Sequence, residues 1–379
     1  MEPAAVGPRA VQRGPLSGSR AGDPEVHQVL ATLGYGDAIG NEALAIQRLL
    51  RGAGFRSEIF VETAQPRVAA CTRDYRELPR FSSPANLLIH HFSIGSRASR
   101  TAFALPDRML LVYHNVTPAR YFLDVNDALA ERCYRGRREL SAYVTRVRLA
   151  VGASEFNRAE LERMGFAPTA VLPPLVPDFN HLEVEPDHVT EAAFGDDVVN
   201  ILFVGRIVPN KRIEDLVRIF KAYSTLFNAR ARLIVVGSWD GFEAYYGMLQ
   251  EFVAREGVER VYFAGHVTNE QLTAFYDVAD VFLCASEHEG FCVPLVESFY
   301  KDVPVVAFAA AAVPATLDGG GLLYDTKDPV TVAGLVDAVV SDDRLRSSVL
   351  ASQRAALARL MQKDFRALLL GYVERALAG

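Results

Sequence analysis

Lysine is nearly missing from this chain. Of 40 Lys and Arg residues only Lys211, Lys221, Lys301, Lys327 and Lys363 are Lys, and none precedes residue 211. An Arg- and Ala-rich genome accounts for the scarcity, so each remaining Lys stands out. A surplus of positive charge is also missing. The net charge of −6 excludes a general nucleic-acid binder, which needs a basic face for phosphate contacts. No stretch approaches the roughly 20 uninterrupted apolar residues that a membrane-spanning helix requires, which excludes an integral membrane protein. Cysteine is sparse. Cys71, Cys133, Cys284 and Cys292 form no C-x-x-C pair and no metal-ligand spacing, and the last two sit in apolar company as buried reduced thiols. Residues 1–23, rich in Pro, Gly, Ala and Arg, lack the apolar run of a secretory signal and read as a disordered extension. A cytoplasmic protein is the expectation.

What is present is a long alternation of short apolar runs and amphipathic segments over 379 residues, the pattern of parallel α/β layers. At about 150 residues per domain the length predicts two domains. Strands are expected at 26–33, 57–62, 86–92, 109–114, 148–151 and 169–172, with helices at 41–51 and 156–164. The Pro- and acid-rich stretch 173–188 has no period and reads as a linker. A second series follows, with strands at 199–204, 231–236, 261–264, 281–285 and 303–308. Helices between and after them are expected at 213–225, 241–256, 269–277, 294–300, 330–340, 342–360 and 364–377. Open parallel sheets bind ligands at the carboxyl ends of their strands, so two such sheets place a ligand in the cleft between them.

Two segments carry the chemistry. Ala285 to Glu297 (ASEHEGFCVPLVE) lies between an apolar strand and a helix and holds Glu289 and Glu297 on either side of Gly290. Backbone N–H groups at such a helix start favour an anion, whereas ionised carboxylates accept hydrogen bonds from hydroxyls. A nucleotide-sugar has both parts. Taken alone, the pair is equally well read as a helix cap and a solvated helix face. Phe203 to Arg212 (FVGRIVPNKR) then decides the matter: a Gly-hinged turn after a strand carries Arg206 and Lys211, two cations suited to a diphosphate.

Gly-Arg-x5-Lys-Arg (Gly205 to Arg212) followed by Glu-Gly-Phe-x5-Glu (Glu289 to Glu297) resembles the donor half of the retaining glycosyltransferases of family 4. The likeness is strongest over 199–325 and weaker over 26–180. It implies the α/β fold class called GT-B, two Rossmann-like parallel-sheet domains facing each other across a cleft. The expected division is an extension 1–23, an acceptor-side domain 24–182 and a donor domain 183–363, with the last helix (364–379) packing back on the first. By the resemblance Arg206 and Lys211 hold the donor diphosphate, Glu297 binds ribose hydroxyls and Glu289 binds the transferred sugar. The backbone of Gly290, Phe291 and Cys292 approaches sugar and phosphate, and Cys292 stands where relatives often have Gly. Gly265 and His266 match the turn that meets the nucleobase.

In the first half Gly34 to Asn41 (GYGDAIGN) has the spacing G-x-G-x-x-x-G, which disfavours a dinucleotide fingerprint. The resemblance makes Gly34, Gly36, Asp37 and Asn41 candidate site residues, while Asp37 reads equally as a helix cap. His114 ends a strand and resembles a family His that contacts the donor sugar; Asn115 follows where Asp is usual. His90 and His91 are weaker candidates, one of them core. Ser154-Glu155 reads as structural. The run Arg132, Arg135, Arg137, Arg138, Arg146 and Arg148 is a surface for anionic lipid on one reading and a solvated helix on the favoured one. The expected activity is transfer of a hexose from a nucleoside-diphosphate sugar, with retention and without a metal or cofactor. The acceptor would be a sugar, a lipid-linked glycan or a small molecule, with peripheral contact at the inner membrane face left open. A sugar-nucleotide epimerase and a non-catalytic sugar-nucleotide-binding subunit are the alternatives.

Overall fold

The computed structural model describes residues 23–34, 37–174 and 179–378. Residues 1–22 of the expected extension lie outside them. Two parallel sheets form the frame. The first contains β1 (Val26–Leu33), β2 (Ile59–Ala64), β3 (Arg73–Asp74), β4 (Leu87–Phe92), β5 (Arg108–Tyr113), β6 (Leu149–Gly152) and β7 (Thr169–Val171), in the order β3-β2-β1-β4-β5-β6-β7. The second contains β8 (Val199–Val204), β9 (Ala231–Val236), β10 (Val261–Gly265), β11 (Val281–Cys284), β12 (Val305–Phe308) and β13 (Leu322–Tyr324), ordered β10-β9-β8-β11-β12-β13. Strands such as β4 (LLIHHF) and β9 (ARLIVV) are buried at every position. Helices cover both sheet faces, so these strands read as continuous rather than alternating apolar runs.

Each sheet reverses its strand order once, between β1 and β4 in the first and between β8 and β11 in the second. At such a switch point the connections leave in opposite directions and open a crevice beyond the strand ends. The glycine-rich loop after β1, the basic loop after β8 and the Glu-Gly-Phe loop after β11 all emerge at these two points.

The last helix, Phe365–Ala378, lies on the first sheet. Leu369, Val373 and Ala376 are fully buried against Leu87, Ile89, Leu110, Val112, Leu149 and Val151. Burial of the Leu and Val side chains contributes about 1.5–3 kcal/mol each. The Tyr372 hydroxyl donates to the Val171 carbonyl at 3.0 Å, tying the helix to the sheet edge.

Of the stretch read as a linker, residues 173, 174 and 179–188 are described. Phe179 and Leu182 are buried in the second core, Phe179 stacks on Tyr300 at 4.2 Å, and 188–194 is a helix capped by Asp187. Phe179 and Leu182 meet that core singly and so leave no period in the sequence. The Arg-rich run is largely the helix Asp127–Ala142, whose narrow inward stripe is Ala130, Cys133, Gly136 and Leu140. Two of its arginines work inside the first unit: Arg137 pairs with Glu160, and Arg146 donates to the carbonyls of Leu105 and Asp107.

Candidate active site

The two motifs meet edge to edge. Pro209–Lys211 forms a short 3-10 turn after β8. Its Asn210 carbonyl accepts from the Glu287 N–H at 2.9 Å, and the Asn210 side-chain amide donates to the His288 carbonyl at 2.9 Å. Lys211 Nζ then donates to Glu289 Oε1 in a short ion pair. Burial depresses the Lys211 ammonium most strongly, but the Glu289 carboxylate together with Cys292 and Cys284 holds it above its ordinary value. Before any ligand arrives, the motif cation and the motif carboxylate neutralise each other. An unpaired charge at this depth would cost several kcal/mol.

Glu297 occupies the first turns of the helix Val293–Tyr300 and is buried. Tyr276 donates its hydroxyl to Glu297 Oε2 at 2.8 Å, and His181 Nε2 lies 2.8 Å from Oε1. Burial, and then the Glu297 charge, drives the Tyr276 hydroxyl well above its ordinary range, so it stays a donor. Both carboxylates are therefore buried and held by named partners; neither is a solvated face.

Cys292 begins the same helix at φ 76°, a left-handed conformation that favours glycine. Its thiol faces that of Cys284 at the end of β11, and the hydrogen bond between them pulls Cys284 down and pushes Cys292 up. The Phe291 carbonyl accepts from the Thr316 hydroxyl at 2.5 Å.

Gly205 packs under Gly237: a Cβ on Gly237 would lie 1.9 Å from the Gly205 carbonyl oxygen, so no other residue fits there. Arg206 is exposed, donates to the Asp240 carbonyl at 3.1 Å and lies over the Phe242 ring at 5.7 Å. Gly265, at φ 72°, is buried beneath the edge of Trp239, which stacks flat on Tyr246 at 4.0 Å. His266 beside it is exposed.

Across the cleft, His114 follows β5 but turns its ring inward. Nε2 lies 3.0 Å from His91 Nδ1, and Nδ1 lies 3.5 Å from Glu42 Oε2. His91 continues to Gln28 Oε1 at 2.9 Å. Burial pushes the His114 imidazole down to about 3 and the Glu42 carboxyl up to about 8, so at neutral pH both are uncharged. The resemblance expects the His114 ring at a donor sugar; in the structure its nitrogens are engaged within the first unit. What His114 presents to the second unit is its carbonyl. A Cβ on Gly290 would lie 2.4 Å from that oxygen, so Gly290 allows the close contact between the two units. His90 and His91 are both fully buried, and Asp37 caps its helix by accepting from the Gly40 N–H at 3.3 Å. Burial raises the Asp37 carboxyl above its ordinary value, against the opposing pull of the Gly40 N–H and of the Arg206 charge. Gly36 lies outside the described residues.

The sequence is matched over residues 186–355 by the family model for glycosyl transferases group 1. Residues 186–355 are a group 1 glycosyltransferase domain. O-antigen chain mannosyltransferase B of Escherichia coli is 28% identical over 145 residues, 38% of this chain and 38% of its own. The match thus spans well under half of that relative. The group 1 domain and the unit before it together superpose on sucrose-phosphate synthase from Thermosynechococcus elongatus with TM-score 0.71 at 18% identity, covering 94% and 99% of the two chains. The Anabaena protein Alr3699/HepE, solved with UDP-glucose, gives TM-score 0.69 at 14% identity over 94% and 100%. These likenesses show the fold, GT-B, with the group 1 domain as its second half.

Sequence reasoning missed several partners in the group 1 domain and around it. Tyr276 and His181 hold Glu297, Asn210 ties the loops, His288 reaches the first unit, and Glu42 backs His114. Only Glu42 carried a signal, an acid on the apolar helix Ala38–Gly52.

Proposed function

We propose that this chain is a retaining glycosyltransferase that moves a hexose from a nucleoside-diphosphate sugar to an acceptor hydroxyl. The observation that carries this reading is the Lys211–Glu289 pair at the switch point of the group 1 domain, with Glu297 and Arg206 flanking it. A donor diphosphate competes with Glu289 for Lys211, and the sugar hydroxyls compete with Lys211 for Glu289. Donor binding thus replaces one ion pair by two charge-assisted contacts, and Arg206 adds a second cation against the two negative charges of the diphosphate. Glu297, already polarised by Tyr276, accepts from ribose hydroxyls. The flat Trp239–Tyr246 stack, whose indole edge lies over Gly265, walls the base end.

In the reaction the anomeric carbon–oxygen bond to the diphosphate breaks while the bond to the acceptor oxygen forms on the same face. The acceptor proton passes to the departing phosphate. Arg206 and Lys211 stabilise the charge that develops on that phosphate, a role filled by a metal ion in other transferases. The likeness to a mannosyltransferase of O-antigen chains supports a glycan acceptor.

Incubation with single nucleotide-sugars tests the reading. Nucleotide release that depends on an added acceptor supports transfer, with retained anomeric configuration by NMR and undiminished turnover in EDTA. Interconversion of the sugar without an acceptor would show an epimerase, and binding without turnover a non-catalytic subunit.

A further inference from the structure

Cys284, Glu289 and Cys292 bring two sulfurs and a carboxylate oxygen within 4.8 Å of one another, in the interior of the Glu-Gly-Phe loop. Cys284 is fully buried at the end of β11, and Cys292 is partly buried at the start of the following helix. Two thiolates and one carboxylate are the donor set of a borderline-soft divalent cation in tetrahedral geometry, with a fourth position left for water. Hard cations such as magnesium are poorly served by sulfur.

We propose that these three residues form a Zn2+ site that competes with Lys211 for Glu289. The charges favour it. The empty site holds Glu289 and the Lys211 ammonium, which cancel. On metal uptake two thiol protons leave to solvent, no group is oxidised or reduced, and Zn2+ meets two thiolates and the Glu289 carboxylate. The cluster then carries one net negative charge, which Lys211 at its side still cancels. Occupied and empty states are thus both neutral, and neither strands a charge. With Zn2+ bound, Glu289 is no longer free for a donor sugar. This consequence rests on the donor role proposed above; metal binding itself does not.

The test uses the full chain with Cys71→Ser, because Cys71 is the exposed thiol. In a phosphine reductant, one equivalent of Co2+ is expected to give a cobalt–thiolate charge-transfer band that Zn2+ abolishes. Cys284→Ser and Cys292→Gly should each remove the band and weaken Zn2+ binding by ~100-fold, whereas Glu289→Gln should keep it and weaken binding by ~10-fold. Cys292→Gly suits the φ of 76° and secures a folded variant, which far-ultraviolet circular dichroism verifies. Absence of the band in the parent, or its persistence in both cysteine variants, overturns the site. Loss of glycosyl transfer alone would not, since the cobalt spectrum is read without donor or acceptor.

Discussion

His288 Nε2 and Asn115 Oδ1 lie 2.8 Å apart, joining loops of the two units that are 173 residues apart in the chain. Asn115 is itself set by the first unit: its amide donates to Asn157 Oδ1 at 2.8 Å and Glu160 Oε2 at 3.2 Å, and its backbone is left-handed at φ 81°. An Asp here would place a third acceptor beside Glu160 and Asn157, so the amide is what allows the joint. His288 sits one residue from Glu289 and thus reports the state of the donor loop to the opposite sheet. Asn115→Asp is expected to raise KM for the donor about tenfold and lower stability by about 1–3 kcal/mol, through like-charge contact with Glu160. Donor titration and chemical denaturation check the two effects.

Lys211→Ala leaves Glu289 buried without its cation and should cost about 3 kcal/mol of stability as well as donor binding. Lys211→Met with Glu289→Leu removes both charges and should recover most of that stability while remaining inactive. Denaturant unfolding of the two variants checks the pair; equal losses in both would show that the ion pair carries no stability.

Gly290→Ala pushes a methyl into the His114 carbonyl and should separate the two units. A larger radius of gyration by small-angle scattering and a ~100-fold loss of turnover are expected, since misplacement of about 1 Å has that effect. Gly371→Ala is the contrast. Nothing lies within 4 Å of its added Cβ on the helix Phe365–Ala378, so it should stabilise by about 0.5–1 kcal/mol.

The pH dependence of stability separates the buried groups around His114. Glu42 is raised to about 8, so its contribution is complete below its ordinary value of 4.5 and is lost as pH rises through 8. His90 and His114 are lowered to about 3 and His288 to about 4 by burial, so their contributions are present above 6.5 and are lost as pH falls through those values. Melting temperature should therefore peak near neutrality. In Glu42→Gln the decline between pH 6.5 and 8 should flatten while the acid limb remains; a parallel shift of the whole curve would contradict the assignment.

Much of this was legible in the residues, for identifiable reasons. β1, β8 and β9 coincide with the apolar runs at 26–33, 199–204 and 231–236, because a strand covered on both faces is apolar at nearly every position. The strand Arg73–Asp74 and the helix Val313–Leu317 were not legible; two and five residues are too short for any period. The basic loop and the Glu-Gly-Phe loop stood out because their spacing is local. Their partners did not, because Tyr276, His181 and Glu42 reach them through space.

By itself the sequence determined two parallel α/β layers, the places where each strand gives way to a loop, and the chemical types in those loops, including the isolated Lys211. These follow from local apolar pattern and turn chemistry. The tertiary structure alone decided which charges meet. Lys211 and Glu289 are 78 residues apart and become one neutral pair, Gly290 closes on His114, and the His114 ring turns away from the cleft toward His91 and Glu42. The physical reason is that a side chain's partner is fixed by strand order at the switch points and by the cost of burying an unpaired charge. Neither is encoded in any short stretch of chain.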